Sequence, residues 1–240
     1  LVESKGFVPT EIAQDIKQKC INLGFYACNF PENIGGAGLN HLDFALVERE
    51  LGRGSMALTH FFGRPQNILM ACKDEQIEKY LLPAVRGDLM DALAMTEPDA
   101  GSDVRGMKCF AKSEGSDWIV NGTKHFISGA EHADFIIVFI ATGEEQTEKG
   151  PKKKITAFLV DRGTPGFVIR DGYNSVSHKG YKNMILEFDD CLLPKEQVLG
   201  EVDGGFEVMN TWLYATRLTV AAMSVGRARR CFDYALNYSA

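Results

Sequence analysis

Two changes of pattern along 240 residues predict an α+β protein of several domains. Apolar residues recur at helical spacing over about the first 90 positions, β-favouring runs between turn residues take over after Gly87, and helical spacing returns from Gly205. The expected division is a helical domain over residues 1–91, a compact β domain over 92–204 and the first helix of a second helical region over 205–240.

The composition, 45% hydrophobic and 24% charged, is enough for a sizeable core and for one to two domains. A formal net charge of −6 argues against nucleic acid or an anionic membrane as the main partner, because both select for surplus Lys and Arg. Cys20, Cys28, Cys72, Cys109, Cys191 and Cys231 form no C-x-x-C pair, and the five histidines are dispersed. Buried, reduced thiols are therefore expected, and no metal site. No window approaches the roughly 18 consecutive apolar residues of a transmembrane helix. The start, Leu1-Val2-Glu3-Ser4-Lys5, has no signal-peptide layout. A first residue other than Met and a helical pattern still running at 237–240 fit a processed or trimmed chain whose natural form continues.

In the N-terminal part, Thr10 follows Pro9 as a candidate N-cap, and Ile12, Ile16 and Cys20 recur every four positions on one helix face. This helix is expected to stop at Gly24. Residues 29–40, with Pro31, Gly35, Gly36 and Gly38, read as a loop that lacks the order G-x-G-x-x-G and a preceding strand, so a Rossmann reading fails. Asn40 caps a second helix, whose stripe is expected to include Leu42, Ala45, Leu46 and Leu51. Residues 55–82 read as further helix, interrupted near Gly63-Arg64-Pro65 and restarting near 73–76.

The β domain shows its strand-like runs at 118–120, 135–140, 155–160, 167–170 and 184–188. Asn121-Gly122, between two β-rich runs, predicts a type I′ hairpin turn, which needs positive φ twice. The polar interval 142–154, with Lys152, Lys153 and Lys154 at its end, is expected to be an exposed hairpin loop. From Gly205, residues such as Trp212, Leu213, Thr216, Val220, Phe232 and Leu236 repeat at helical spacing.

The most informative stretch is Met95-Thr96-Glu97-Pro98-Asp99-Ala100-Gly101-Ser102-Asp103. A strand-like run, Leu93-Ala94-Met95, breaks into a turn in which Pro98 fixes one torsion, Gly101 permits positive φ, and Thr, Ser and Asp supply oxygens. Such a turn either caps a surface strand or leaves N–H groups free to cradle an anionic ligand. Further along come Trp118-Ile119-Val120-Asn121-Gly122-Thr123-Lys124-His125-Phe126-Ile127-Ser128-Gly129, Gly180-Tyr181-Lys182-Asn183 and Phe188-Asp189-Asp190-Cys191-Leu192-Leu193-Pro194. With Asn33-Ile34-Gly35-Gly36-Ala37-Gly38 and Arg217, these motifs give a chain that resembles the acyl-CoA dehydrogenase family of flavoproteins, over nearly its whole length and in the family's order.

The resemblance implies a middle domain that is an antiparallel β-barrel or sandwich, and a C-terminal helical bundle of which 205–240 is the start. It implies FAD across the β domain with an acyl-CoA thioester against it. A carboxylate would take the α-proton and the β-hydrogen would leave as hydride to the flavin N5, giving a trans-2-enoyl-CoA. By the same resemblance Leu93, Met95 and Thr96 contact the flavin, with Thr96 at its pyrimidine end, and Gly101 and Ser102 border both pyrophosphate and substrate. Phe126-Ile127-Ser128 matches a segment that in the family commonly reads Trp-Ile-Thr. Ser128 keeps a hydroxyl to donate to N5, and Phe126 keeps an aromatic face without the indole N–H. Read alone, these two are sheet packing and a strand-end hydroxyl. Tyr214 would line the acyl pocket. Arg217 would lie near the thioester and pantetheine, among Trp212, Leu213 and Leu218, and there need an anionic partner; read alone, it is a surface charge.

Some relatives carry their catalytic Glu immediately before this Arg, but position 216 is Thr, which cannot act as a base near neutral pH. Glu97 and Glu201 have no supporting motif, so the base is expected beyond Ala240. The family also implies a homotetramer, an electron-transfer flavoprotein as partner, and a bacterial cytoplasmic or mitochondrial matrix location compatible with reduced thiols. The alternatives are an acyl-CoA oxidase or flavin monooxygenase of the same fold, and a catalytically inactive member serving as an assembly scaffold.

Overall fold

A computed structural model describes residues 6–148 and 150–240. Residues 1–5, the segment without a signal-peptide layout, lie outside them.

Helix α1 (Thr10–Asn22) has Pro9 at its N-cap and no side-chain cap, so Thr10 is the first helical residue rather than the cap. Ile12, Ala13 and Ile16 pack beside Val8, Ala57 and Phe61. Helix α2 (His41–Gly52) is capped by Asn40, whose side-chain oxygen accepts from the Leu42 and Asp43 N–H groups at 2.9 and 3.0 Å. The expected stripe is corrected: Leu42 and Leu46 are exposed, and Phe44, Glu48 and Gly52 are buried. The segment after α2 is broken more finely than its pattern suggests. Helix α3 (Met56–Thr59) passes into 3₁₀ turns at His60–Phe62 and Asn67–Ala71, then a π turn at Ile77–Leu81 and helix α4 (Leu82–Arg86). Gly63, at φ +89°, lies against Tyr26, where an added Cβ would meet the ring at 1.9 Å.

Eight strands follow: β1 (Asp91–Ala94), β2 (Phe110–Glu114), β3 (Asp117–Ser128), β4 (Phe135–Thr147), β5 (Gly150–Asp161), β6 (Phe167–Asn174), β7 (Lys182–Leu193) and β8 (Val198–Leu199). They form one sheet in the order β6-β7-β3-β2-β4-β5-β8. Pairing is antiparallel except along one edge of β4, which takes β1 and then β2 in parallel. Asn121-Gly122 is not a turn. It lies inside β3 at a register shift between Val120 and Gly122, and the β2–β3 turn is at Gly115, φ +63°. Gly122 is required because an added Cβ would meet the Cys109 Cα at 2.6 Å. The polar interval 142–154 is a ribbon rather than a loop, with the β4–β5 ladder running out to Thr147 opposite Gly150 and Glu145 opposite Lys152. Like β2, which mixes Ala111 with Lys112 and Glu114, it lacks the apolar signal of a buried strand.

The run Phe135–Ala141 explains the sheet's central place, since a strand buried on both faces is continuously apolar. Phe135, Ile137 and Phe139 face a core shared with Tyr80, Leu81, Ala84 and Met209. Ile136, Val138 and Ile140 face the inside of the curled sheet with Leu186, Phe188 and Leu193 of β7. Each such buried side chain contributes about 1.5–3 kcal/mol.

Helix α5 (Gly205–Ser239) begins against β5, where a Cβ at Gly205 would meet the Ile155 carbonyl oxygen at 2.7 Å. It then crosses α2 through a pair of glycines. A Cβ at Gly226 would meet the Arg49 carbonyl oxygen at 1.8 Å, and one at Gly52 would meet that of Met223 at 2.1 Å. Among the described residues no helix is long and apolar enough to cross a membrane, and all six cysteines are free. Gly226→Val should force this crossing apart and destabilise the protein by about 1–3 kcal/mol. Chemical denaturation would read this as a lower midpoint, and an unchanged midpoint would contradict the close crossing.

Candidate functional site

The main cleft, about 390 Å³, lies between β1 with its following turn, the end of β3, the 60–67 segment and α5. Its floor is set by a buried ion pair. Lys124, from β3, is fully buried and donates to Glu97 Oε1 at 2.6 Å and to the Met95 carbonyl at 3.1 Å. Glu97 also accepts from the backbone N–H groups of Lys108 and Cys109. Across the turn, the N–H groups of Glu97 and Ala100 bond each other's carbonyls at 2.9 and 3.2 Å, and His125 N donates to Thr96 O at 2.9 Å. The turn after β1 is thereby fastened to β3 and to the approach to β2.

Opposite the floor, Trp212 Nε1 donates to Gln66 Oε1 at 2.6 Å, while the Gln66 N–H donates to Asp91 Oδ2 at 3.1 Å. Burial pushes the Asp91 carboxyl up from 3.8 to about 7. Burial pushes His60 down from 6.5 to about 4, helped by His132 and Arg64, so its ring is neutral at pH 7; among the described residues its buried Nε2 has no partner. The Tyr181 phenol, also raised by burial, belongs to the same wall.

Leu93, Met95, Thr96, Phe126, Ile127 and Ser128 all line this cleft. Phe126 sits at a second register shift of β3, with φ +57°, half exposed and stacked on Tyr173 with ring centroids 4.3 Å apart. Ser128 Oγ donates to Asn183 Oδ1 at 2.9 Å. Gly101 and Ser102 are exposed and are not among the lining residues, and among the described residues their N–H groups make no backbone hydrogen bond.

The expected substrate residues on α5 lie outside the cleft lining. Tyr214 is 70% exposed, Arg217 is exposed 5.9 Å over its ring, and among the described residues Arg217 pairs with no carboxylate. Trp212, Ala215, Thr216 and Thr219 face the cleft instead. Arg217 lies one position past this face, so Thr216 points inward and Arg217 does not. Asp91 is the carboxylate among the described lining residues; Glu97 is saturated by its donors, and Glu201 is exposed and paired with Lys73. Sequence reasoning missed the Glu97–Lys124 pair, His60, Asp91, and Arg64 with its buried partner Glu48. The one available signal was Glu48 lying four residues from both Phe44 and Gly52 on the buried face of α2.

Three family models match the chain: acyl-CoA dehydrogenase N-terminal domain over residues 3–88, middle domain over 92–191 and C-terminal domain over 203–240. The human mitochondrial short-chain specific acyl-CoA dehydrogenase is 34% identical over 228 residues, covering 92% of this chain and 54% of the relative. A caffeyl-CoA reductase–Etf complex subunit from Acetobacterium woodii is 32% identical over 243 residues, covering 99% and 62%. Among solved structures, butyryl-CoA dehydrogenase from Megasphaera elsdenii superposes with a TM-score of 0.84 at 30% identity, covering 99% of this chain and 62% of that one. A glutaryl-CoA dehydrogenase from Mycobacterium smegmatis in complex with FADH2 gives a TM-score of 0.82 at 26% identity, covering 99% and 59%. The chain thus spans between about half and three-fifths of the length of these relatives.

The raised Asp91 carboxyl gives a pH test. Its stabilising contribution is present below the unfolded value of 3.8 and lost as pH rises through the folded value of about 7. Asp91→Asn stays neutral throughout, so its stability relative to the natural protein should increase from pH 4 to 7 in denaturant titrations. A difference independent of pH would contradict the burial.

Proposed function

Because the chain belongs to the acyl-CoA dehydrogenase family, we propose that the complete polypeptide uses FAD to dehydrogenate an acyl-CoA thioester between its α and β carbons. The observation that carries this reading is the cleft itself. One wall is the turn after β1 with the end of β3, the other is α5, and six of the eight residues expected at the cofactor, Leu93, Met95, Thr96, Phe126, Ile127 and Ser128, line the cleft.

The residues present fit the cofactor. Leu93, Met95 and Ile127 offer an apolar floor, half-buried Thr96 adds a hydroxyl at its edge, and Phe126 adds a half-exposed ring. Gly101 and Ser102, exposed in the turn after β1, have N–H groups that make no backbone hydrogen bond among the described residues and are suited to a pyrophosphate, and a Cβ at Gly101 would meet nothing within 4 Å. When bound, FAD supplies the acceptor for the β-hydrogen. The protein's part is to hold the thioester between α5 and the floor, to exclude water with Met95, Trp212 and Val220, and to keep Thr216 and Thr219 as neutral hydroxyls at the α5 wall. Thr216 takes no proton at neutral pH, and the α-proton acceptor is assigned to the rest of the polypeptide.

An electron-transfer flavoprotein is the proposed electron acceptor, supported by the Etf complex named for the Acetobacterium relative. A homotetramer in the bacterial cytoplasm or mitochondrial matrix completes the proposal.

The complete protein should be yellow and should bleach anaerobically when an acyl-CoA is added; failure to take up FAD would contradict the reading and favour an inactive scaffold. Turnover that consumes oxygen would indicate an oxidase instead. Thr96→Val should weaken flavin retention by about 3- to 10-fold, the worth of one hydrogen bond, measured by flavin release on dilution.

A further inference from the structure

The helical side of the cleft carries a cation that the proposed chemistry does not use. Arg64 follows Gly63 in the break between two 3₁₀ turns and lines the cleft with Asn29, Phe44 and Met223. Its Nη1 donates to Glu48 Oε2 at 2.6 Å and lies 3.6 Å from Met223 Sδ. The Glu48 side chain is fully buried, whereas that of Arg64 is 21% exposed. A buried carboxylate with one strong bond holds the guanidinium in a fixed orientation, because releasing it would leave Glu48 without a counter-charge. Among the described residues Nε and Nη2 of Arg64 make no hydrogen bond, and Arg64 lines the cleft with its side chain 21% exposed.

Which donors are spent decides what the group can recognise. Glu48 occupies Nη1, and the pair left over, Nε and Nη2, is the edge whose two parallel N–H bonds match a carboxylate side by side. A methyl-ended acyl chain placed there would strip water from those donors and return nothing. Asp91, the carboxylate in the lining, has its carboxyl pushed up by desolvation, which weakens its opposition to an incoming anion.

We propose that the free edge of Arg64, braced by Glu48, receives a carboxylate at the far end of the acyl chain, so that the substrates are monothioesters of dicarboxylic acids. This rests on the dehydrogenase reading above. The distance from the reacting carbons to Arg64 sets the preferred chain length within that class.

The test uses the complete, flavin-loaded protein and two matched series of CoA thioesters, succinyl to pimeloyl and butyryl to heptanoyl, followed by anaerobic flavin bleaching and by calorimetric binding. For at least one length, the carboxylate-ended thioester should exceed its methyl-ended counterpart in kcat/KM by about 10- to 100-fold, the range for hydrogen bonds to a charged group. Arg64→Met should bring that ratio to about one. Because this variant strands Glu48, the double variant Glu48→Gln with Arg64→Met is measured beside it. Arg64→Lys, which keeps the charge and loses the fork, should lower the ratio without abolishing it. Bleaching by methyl-ended thioesters with no carboxylate preference, or a preference that survives both Arg64→Met variants, would overturn the assignment and leave the dehydrogenase reading standing. Absence of bleaching and of binding with every thioester would overturn both.

Discussion

Two charges held out of water, Glu97 and Lys124, fasten the turn after β1 to the middle of β3. Burying either alone would cost several kcal/mol, and the pair is tolerable because nearly every remaining hydrogen-bonding position is filled. Lys124 reaches the Met95 carbonyl, and Glu97 collects the N–H groups of Lys108 and Cys109. One pair of side chains therefore closes four separate stretches of chain onto each other: the end of β1, its turn, the approach to β2, and β3. Without it, the parallel placement of β1 and β2 on one edge of β4 would leave the turn free to move against the cleft.

The opposite wall is fixed by different means. Helix α5 is located by close backbone approaches, Gly205 on β5 and Gly226 with Gly52 on α2, where no side chain fits between the chains. Polar bonds then set its distance from the floor, as Trp212 bonds Gln66 and the Gln66 backbone bonds Asp91 at the start of β1. The cleft is the space that these two rigid attachments leave. Its lining is asymmetric in chemistry: neutral and largely apolar near Leu93, Met95 and Ile127, but charged near Arg64 and Asp91. A ligand that fills it has to satisfy both ends.

Much of this architecture is legible in the chain. Periodicity marks α1, α2 and α5, and the continuous apolar run of β4 marks the strand buried on both faces. The turn residues 95–103 and the segment 126–128 stand out, and five of the residues they supply, Met95, Thr96, Phe126, Ile127 and Ser128, meet in the cleft. What is not legible depends on distant contacts. Asn121-Gly122 has the composition of a hairpin turn, yet Cys109 presses on Gly122 and the pair becomes a bulge. Leu42 and Leu46 are apolar but face outward, because α2 meets α5 through Gly52 and so turns Phe44 and Glu48 inward. Lys124 and Glu97 look like ordinary strand and turn charges, 27 positions apart in the chain. Tyr214 and Arg217 are singled out by the family resemblance, and only the phase of α5 shows that Thr216 faces the cleft.

The claim that one buried ion pair organises the cleft floor is tested most directly by amide hydrogen exchange on the complete protein carrying Lys124→Met. Protection should fall at Lys108 and Cys109, which donate to Glu97, and at Glu97, Ala100 and His125 in the turn, while the β4–β5 ladder from Phe135 to Ile140 keeps its protection. Unchanged protection at Lys108, Cys109 and the turn, in a variant that still folds, would contradict the account.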